Sequence, residues 1–367
     1  MSLNPVLHDS DRPLVSVIVH NYNYGRYLRQ CLDSVFTQTY PNVEICFSDN
    51  SSADDSWEIA LDYSRRYPGV MNVTCNRMNF GSDANHLNCR INVRGKYLVT
   101  LCSDDAMAQT FVEKCVAALE IHRQCGYAMV HRSIIDAKDR LQEEAPFYSE
   151  SCIIPGAKQA SVYMMAAVNP SISQVMYNRA KTVEKSHVGG IAAQWYGARL
   201  LDFKMCCEYD MAYIKEPLLL HRLHGENDSS EAAEKLLEVI GPYVLQHQFA
   251  EIAATNALPE VAARLPQALD KLGNLCLRYC VRFLLAGNER LARRYFHLAP
   301  AISPDLETDP AHRELQSFWN SRGTEREQIL AHLRKADNLA SRTHSYPPPE
   351  GSRLIDWDTI LLPARRP

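Results

Sequence analysis

The sequence predicts an α/β protein in which a mainly parallel central sheet is flanked by helices and followed by a helical C-terminal domain. Short apolar, β-branched runs alternate with amphipathic segments through the N-terminal part of the chain, as in a sheet covered on both faces. After Ser230 the composition shifts to helix formers, and no strand pattern returns before the tail. We therefore predict an N-terminal tail (1–12), an α/β domain (13–230), a helical domain (231–340) and an extended, proline-rich tail (341–367).

The alternation of apolar runs and amphipathic segments predicts the strands and helices of the α/β domain individually. The predicted strands are 14–19 (LVSVIV), 43–49 (VEICFSD), 71–76 (MNVTCN) and 96–102 (KYLVTLC), and the helices between them cover 26–38, a stretch from residue 59, and 83–93. Polar residues follow the first, second and fourth strands. Because parallel strands end at one edge of a sheet, these residues are expected on the rim where ligands bind.

The remaining elements are less regular. The patterns predict helices over 111–122, 159–168 and 191–201, strands over 126–136 and 211–225, and a helix pair over 272–287 and 288–300, ended by Gly287 and Pro300. The cations Arg290, Arg293 and Arg294 in this pair favour a solvated face, although contact with an anionic membrane or lipid-linked acceptor is an alternative. A homo-oligomer formed through these helices is also compatible with the sequence.

The composition of the chain limits which binding partners and which cellular compartment are expected. A formal net charge of −4 gives no basic footprint for nucleic acid. The 12 cysteines form no C-x-x-C pair, and several lie in hydrophobic runs, which suits a reducing environment. The N-terminus carries no signal-like run, and no stretch reaches the roughly 20 apolar residues of a membrane span. We expect a cytoplasmic protein whose membrane contact, if any, is peripheral and at the inner face.

Two adjacent carboxylates end the fourth predicted strand, in "KYLVTLCSDD". Isolated carboxylates are costly to bury, so Asp104 and Asp105 are expected in a solvated turn, beside a cation or on a metal. Their position on the ligand-binding rim, near loops rich in Asn and Ser, favours Mg²⁺ or Mn²⁺ held together with ligand phosphates. The sequence therefore predicts a metal-assisted phosphate site.

Several separate segments carry a family resemblance. They are "VSVIVHNYNYGRYLRQCLDSVFTQTYPNVEICFSDNSSADDS", "NFGSDANHLNCRINVRGKYLVTLCSDD" and, more weakly, "AYIKEPLLLHRLHGENDSS". In this order and spacing the chain resembles the family-2 glycosyltransferases of the GT-A fold. The resemblance covers about 13–230, with a gap of low similarity. It implies inverting transfer of a sugar from a nucleotide-diphosphate donor to an acceptor hydroxyl.

The resemblance also implies roles for individual residues. Asp104 matches the metal-binding and catalytic carboxylate, and His224 a second group for the metal or pyrophosphate. The positions that it assigns to donor binding are His20, Tyr22, Asn23, Asp49, Ser103, Asp105 and Arg222. A packing role for Tyr22, a turn role for Asp49 and a surface role for Arg222 are the alternatives. The pair His221 and His224 lacks the cysteine or third histidine that a zinc site would need.

Three positions depart from the family pattern. His20 stands where many relatives have Pro, and Cys102 where many have Asp. Gln194 occupies the position at which the family supplies the general base, and glutamine cannot accept a proton. Either a substitute base acts, for which Asp202, Glu184 and Glu208 are candidates, or the acceptor is activated otherwise, or catalysis is impaired.

The expected function is metal-dependent, inverting glycosyl transfer with Mn²⁺ or Mg²⁺. The donor is expected to be a nucleotide-diphosphate sugar, a UDP-sugar first, and the acceptor a glycan or lipid-linked molecule in bacterial surface-polysaccharide assembly. One alternative is a catalytically impaired nucleotide-sugar-binding or scaffolding protein of the same fold. A nucleotidylyltransferase is disfavoured because "HNYNYGRYL" is not the Gly-rich, basic loop that such enzymes place after the first strand.

Overall fold

The computed structural model describes residues 12–166, 171–182, 191–224, 232–336 and 344–358. The strands in these ranges are β1 Val15–Asn21, β2 Val43–Asp49, β3 Met71–Cys75, β4 Tyr97–Thr100, β5 Ala106–Met107, β6 Cys125–Asp136, β7 Leu141–Gln142, β8 Cys152–Ile154, β9 Val175–Asn178, β10 Asp210–Leu223 and β11 Arg353–Leu354. The helices are α1 Gly25–Phe36, α2 Ser56–Arg66, α3 Ser82–Arg90, α4 Phe111–Ile121, α5 Gly156–Met165, α6 Arg179–Thr182, α7 Ile191–Cys206, α8 Leu237–Thr255, α9 Pro259–Ala262, α10 Leu265–Leu285, α11 Glu289–Ile302, α12 Pro310–Asn320 and α13 Gly323–Ala336.

The strands form one mixed sheet in the order β11-β8-β10-β6-β9-β4-β1-β2-β3. β3, β2, β1 and β4 are mutually parallel, as are β6 and β10, which confirms the predicted parallel core. β9 is inserted between β4 and β6 and is antiparallel to both. Its sequence, VMYN, is a short apolar run without alternation, which does not distinguish a strand from part of a helix, so this insertion was not predicted.

Alternation along β1 distributes its side chains between the two faces of the sheet. Val15, Val17 and Val19 belong to a core that also includes residues of α1, α2 and α4. Ile18 points the other way, toward Cys89 of α3. Both faces of the parallel core are therefore covered by helices.

The helices after β10 form two sets of contacts. α8 packs against α7, where the rings of Phe249 and Phe203 stack with centroids 4.1 Å apart. α10, α11 and α12 share a separate core that includes Leu277, Tyr295 and Phe318. None of the described helices combines the length and apolar composition that crossing a bilayer requires.

The prediction that Pro300 ends its helix is wrong. α11 continues through Pro300 to Ile302. Proline lacks only its own N–H, and in the last turn this removes a single helical hydrogen bond. Ala299 and Ile302, on either side, are buried in the helical core, so packing holds this turn in helical form.

The C-terminal segment returns to the sheet. β11 pairs antiparallel with β8, and the N–H of Ile355 donates to the carbonyl of Ser151 at 3.0 Å. Ile355 is 7% exposed and belongs to the same core as the valines of β1. The tail thus adds a strand to one edge of the sheet.

Candidate functional site

The acidic motif lies between β4 and β5, beside the end of β10. Ala106, directly after Asp105, pairs with Leu220, so the two-residue strand β5 brings the carboxylates next to His221 and Arg222. Oδ1 of Asp105 accepts from the backbone N–H of Arg222 at 2.9 Å and lies 3.0 Å from Nδ1 of His221. Asp105 is 1% exposed. Its burial is compensated by these partners, which fix the motif against β10.

Asp104 and His224 form the second contact between the motif and β10. Nε2 of His224 lies 3.2 Å from Oδ2 of Asp104. The imidazole also lies against two aromatic rings of the first loop and α1, with centroids 5.5 Å from Tyr24 and 5.3 Å from Tyr27. Burial and the neighbouring charge of Asp105 raise the pKa of Asp104, an effect that the hydrogen bond with His224 opposes. A divalent cation bound here would stabilise the ionised form of Asp104, which burial and the charge of Asp105 disfavour.

Arg222 is buried inside the site, with 1% exposure. Its nitrogens bind four groups: Asp104 O at 2.9 Å, Asp136 O at 2.8 Å, Asp139 Oδ1 at 2.7 Å, and Gln30 Oε1. Its guanidinium carbon also lies 4.4 Å from the centre of the Tyr27 ring. The sequence predicted Arg222 as a donor-binding residue, and the structure places its cation beneath the acidic motif, already hydrogen-bonded to protein groups.

The loops after β1 and β2 are cross-linked by side chains. Oδ1 of Asp49 accepts from Asn21 Nδ2 at 2.9 Å and from Ser52 Oγ at 2.6 Å. The hydroxyl oxygen of Ser52 in turn accepts from the backbone N–H of Asn23 at 2.9 Å. Asp49 is fully buried, whereas Tyr22 is 43% exposed. The structure therefore gives a rigid frame around an accessible tyrosine ring.

A glycine stands at the start of α1, where the two loops approach each other closely. A Cβ on Gly25 would lie 2.2 Å from Oδ1 of Asp55, and the N–H of Gly25 donates to Asp54 Oδ2 at 2.9 Å. Gly25 thus lets α1 begin directly against the loop that follows β2.

His20 lies on the α3 side of β1. Its ring is 5.5 Å from that of His86, whose Nε2 lies 3.2 Å from Thr100 Oγ1. Burial lowers the pKa of His20 to about 4 and that of His86 to about 3. Both rings are consequently neutral near pH 7.

Ser103, which was also predicted to bind the donor, is 2% exposed and directly precedes Asp104.

The donor atoms around Asp104 fit a divalent cation. One ligand atom each from Cys102, Asp104 and Asp105 lies within 4.8 Å of the others. His224 adds an imidazole nitrogen 3.2 Å from the Asp104 carboxylate. Carboxylate oxygens suit Mg²⁺ and Mn²⁺, and imidazole adds affinity for transition metals. Burial raises the pKa of the Cys102 thiol well above its usual value, and Oδ1 of Asp105 already accepts from the N–H of Arg222, so Asp104 and His224 are the better ligands.

The candidates for the general base lie elsewhere. Asp202 of α7 is 2% exposed and accepts from the hydroxyl of Tyr177 of β9 at 2.5 Å. Burial raises its pKa to about 7. Gln194 is also in α7, but its side chain is outside the described residues, as is Glu184. Glu208 is exposed just beyond α7. The structure brings none of the described candidates into contact with the acidic motif.

Sequence reasoning missed several residues that contact the motif. His221 bonds Asp105, Ser171 Oγ lies 3.5 Å from its other oxygen, and Tyr24 and Tyr27 pack on His224. The two tyrosines follow Tyr22 and Asn23 directly, so the clustering of aromatic residues in "YNYGRY" was the available signal. Ser171 gave no comparable signal, because it reaches the motif through the unpredicted turn before β9.

A family model described as Glycosyl transferase family 2 matches residues 16–184. The glycosyltransferase GlyA of Streptococcus pneumoniae is 37% identical over 99 residues, 27% of this chain and 14% of that protein. The uncharacterized glycosyltransferase RP339 of Rickettsia prowazekii is 32% identical over 125 residues, 32% of this chain and 37% of that protein. The chain thus covers well under two thirds of the length of these relatives.

Solved structures match over a greater length. The crystal structure of S. aureus TarS 1–349 in complex with UDP superposes with a TM-score of 0.50 at 14% identity, covering 84% of this chain and 91% of that one. The same protein in complex with UDP-GlcNAc gives a TM-score of 0.51. At this identity the likeness establishes a shared fold.

Proposed function

We propose that this protein, whose residues 16–184 match the family model of glycosyl transferase family 2, is a metal-dependent, inverting glycosyltransferase. The donor is a nucleotide-diphosphate sugar, a UDP-sugar in the first instance, and the acceptor is a glycan or lipid-linked molecule of bacterial surface-polysaccharide assembly. The observation that carries the proposal is the pairing of Asp104 with His224, 3.2 Å apart at the carboxyl edge of the parallel strands. Two solved complexes with UDP or UDP-GlcNAc share the fold and support the choice of donor.

Asp104 and His224 are the residues proposed to hold Mn²⁺ or Mg²⁺. When bound, the cation would neutralise the negative charge that develops on the departing diphosphate. Asp105 contributes indirectly, because its bonds to the backbone of Arg222 and to His221 hold the motif in place. Arg222 is assigned the same positioning role together with a buried positive charge, since its nitrogens are already hydrogen-bonded.

The loops after β1 and β2 are proposed to form the base side of the donor site. Tyr22 offers an exposed ring on which a base can stack. Asp49 fixes the adjoining loop through Ser52, and Asn23 is fixed by the same hydroxyl group. His20 is proposed to border this region as a neutral imidazole, and Ser103 to border the acidic motif.

The experiment is calorimetric titration of the purified protein with UDP, GDP and dTDP, with Mn²⁺ or with EDTA. One nucleotide is expected to bind in a metal-dependent manner, and Asp104→Asn is expected to weaken that binding at least about tenfold. Asp62→Asn is the control, because Asp62 is an exposed carboxylate of α2 that pairs with Arg66. Metal-independent binding, or equal binding by Asp104→Asn, would contradict the proposed site.

Gln194 supports a second candidate, a nucleotide-sugar-binding protein that does not transfer. That protein would bind nucleotide and metal as above but would neither hydrolyse the donor nor glycosylate an acceptor. Gln194→Glu separates the two, because it places a carboxylate at the position where the family has its base. Transfer that appears only in Gln194→Glu would support the impaired protein. Transfer by the wild type that Glu184→Gln abolishes would support a substitute base.

A further inference from the structure

α3 presents an apolar face to solvent. Phe80, Leu87 and Ile91 are 53%, 60% and 79% exposed, and Met78 in the preceding loop is 59% exposed. Leu87 and Ile91 are about one helical turn apart, on the side of α3 opposite the buried Asn85 and Cys89, whereas Met78 and Phe80 lie in the loop before the helix. We call Met78, Phe80, Leu87 and Ile91 the α3 stripe. Clustered exposed side chains of this size mark an interaction surface more often than isolated ones do.

The α3 stripe is held in its exposed position by buried amides. Oδ1 of Asn50 accepts from the backbone N–H of Phe80 at 3.1 Å and from Asn76 Nδ2 at 2.8 Å. On the inner face of α3, Asn85 is 1% exposed, and its Nδ2 donates to two carbonyls at the ends of β1 and β2, each at 3.0 Å. The outward direction of the stripe is therefore set by the framework, and collapse of these side chains onto the core would break these bonds.

Cations flank the stripe. Arg77 is exposed at one end and Arg90 is half-buried at the other, and in the described part of the chain neither has an acidic partner. Arg94 adds a third cation, 65% exposed, although it pairs with Glu44. Asp83 is the one acidic residue between positions 77 and 94. An apolar stripe with a basic border is complementary to a partner that has an apolar interior and a negatively charged surface.

We propose that the α3 stripe docks on an anionic lipid bilayer. The four apolar side chains enter the boundary between headgroups and acyl chains, and Arg77 and Arg90 lie over lipid phosphates. The proposal rests on exposure and charge and is independent of the proposed transfer activity. The basic cluster on α11 is a poorer candidate, since its apolar neighbours Leu291 and Tyr295 are buried in the helical core.

The test is co-sedimentation of the full chain with vesicles of phosphatidylcholine, with and without phosphatidylglycerol. The wild type is expected to bind the anionic vesicles and to be released by high salt, because the arginine contacts are screened. Leu87→Glu/Ile91→Glu is expected to lower the partition coefficient at least tenfold, and Arg77→Gln about fivefold. Thermal melting of each variant verifies that it is folded.

Ile121→Glu is the matched control. Ile121 is 44% exposed at the end of α4, on the opposite face of the sheet from α3, so its replacement should leave vesicle binding unchanged. Absence of wild-type binding to anionic vesicles at low salt would overturn the proposal, and so would equal loss in the control. A dimer in solution that Leu87→Glu/Ile91→Glu dissociates, without vesicle binding, would assign the stripe to a second copy of the chain and also overturn it.

Discussion

Arg222 joins parts of the chain that are far apart in sequence. Its side chain reaches the acidic motif, the turn after β6 and Gln30 of α1, and its backbone N–H binds Asp105. These contacts use the planar fork of the guanidinium, which offers donors in several directions at once. Lysine has a single terminal nitrogen and cannot replace this set even though it keeps the charge.

We therefore predict that Arg222→Lys destabilises the protein. Several buried acceptors would lose their donor, and the free energy of unfolding should fall by about 3 kcal/mol. Chemical denaturation measures this change. Arg140→Lys is the matched control, because Arg140 is 77% exposed and pairs with Asp136 at the surface, so its effect should stay within about 0.5 kcal/mol. Equal stability of the two variants would show that the Arg222 network contributes little.

The residues around Asp104 were predictable only in part. Asp104 and Asp105 stand out because two charges follow a buried strand, and the resemblance supplied Arg222 and His224. The structure brings these four together, whereas their proposed roles stay predictions. That Arg222 would be buried was not predictable, because the pattern of β10 does not show that β5 and the turn after β6 close over it.

At the scale of elements, sequence runs of six or more strand-forming residues predicted six strands, and the strands without such a run were missed. β1, β2, β3, β4, β6 and β10 are confirmed, since each is a run of apolar, strand-forming residues. β8, β9 and β11 have two to four residues each, and their strand form depends on partners distant in sequence. Such segments are decided by tertiary pairing rather than by their own composition.

β11 offers a direct test of how much a short paired segment contributes. Ile355 is 7% exposed in the main core, whereas Leu354 beside it is 68% exposed. Ile355→Ala should lower the free energy of unfolding by about 2–4 kcal/mol, because it removes buried methyl groups and leaves a cavity. Leu354→Ala, at the neighbouring exposed position, is the control and should cost under about 0.5 kcal/mol. If denaturation curves of the two variants coincide, the tail does not contribute to the core.

For the whole molecule, buried ionisable groups link stability to pH in opposite directions. Burial lowers the pKa of His20 to about 4 and that of His86 to about 3, from the ordinary histidine value of 6.5. The folded state thus disfavours their protonation, so their contribution is complete above pH 6.5 and is lost as pH falls below it. Burial raises the pKa of Asp202 from 3.8 to about 7, so its protonation favours the folded state as pH falls through the same range.

As pH falls from 6.5 to about 4, each histidine should lower the free energy of unfolding by about 1.4 kcal/mol per pH unit. Asp202 should raise it by a similar amount over the same range. These contributions add to those of the other titrating groups, so the test compares the slope of each variant with that of the wild type. His20→Asn/His86→Gln should lose less with each unit, and Asp202→Asn should lose more, because it removes the opposing group but keeps an acceptor for Tyr177. Urea denaturation at half-unit steps of pH measures the three slopes.

His297→Gln, at an exposed position, is the control and should follow the wild type. A histidine double variant with the wild-type slope would mean that the two rings take up protons in the folded protein as readily as in the unfolded chain. That result would contradict the assignment of His20 and His86 as a neutral pair.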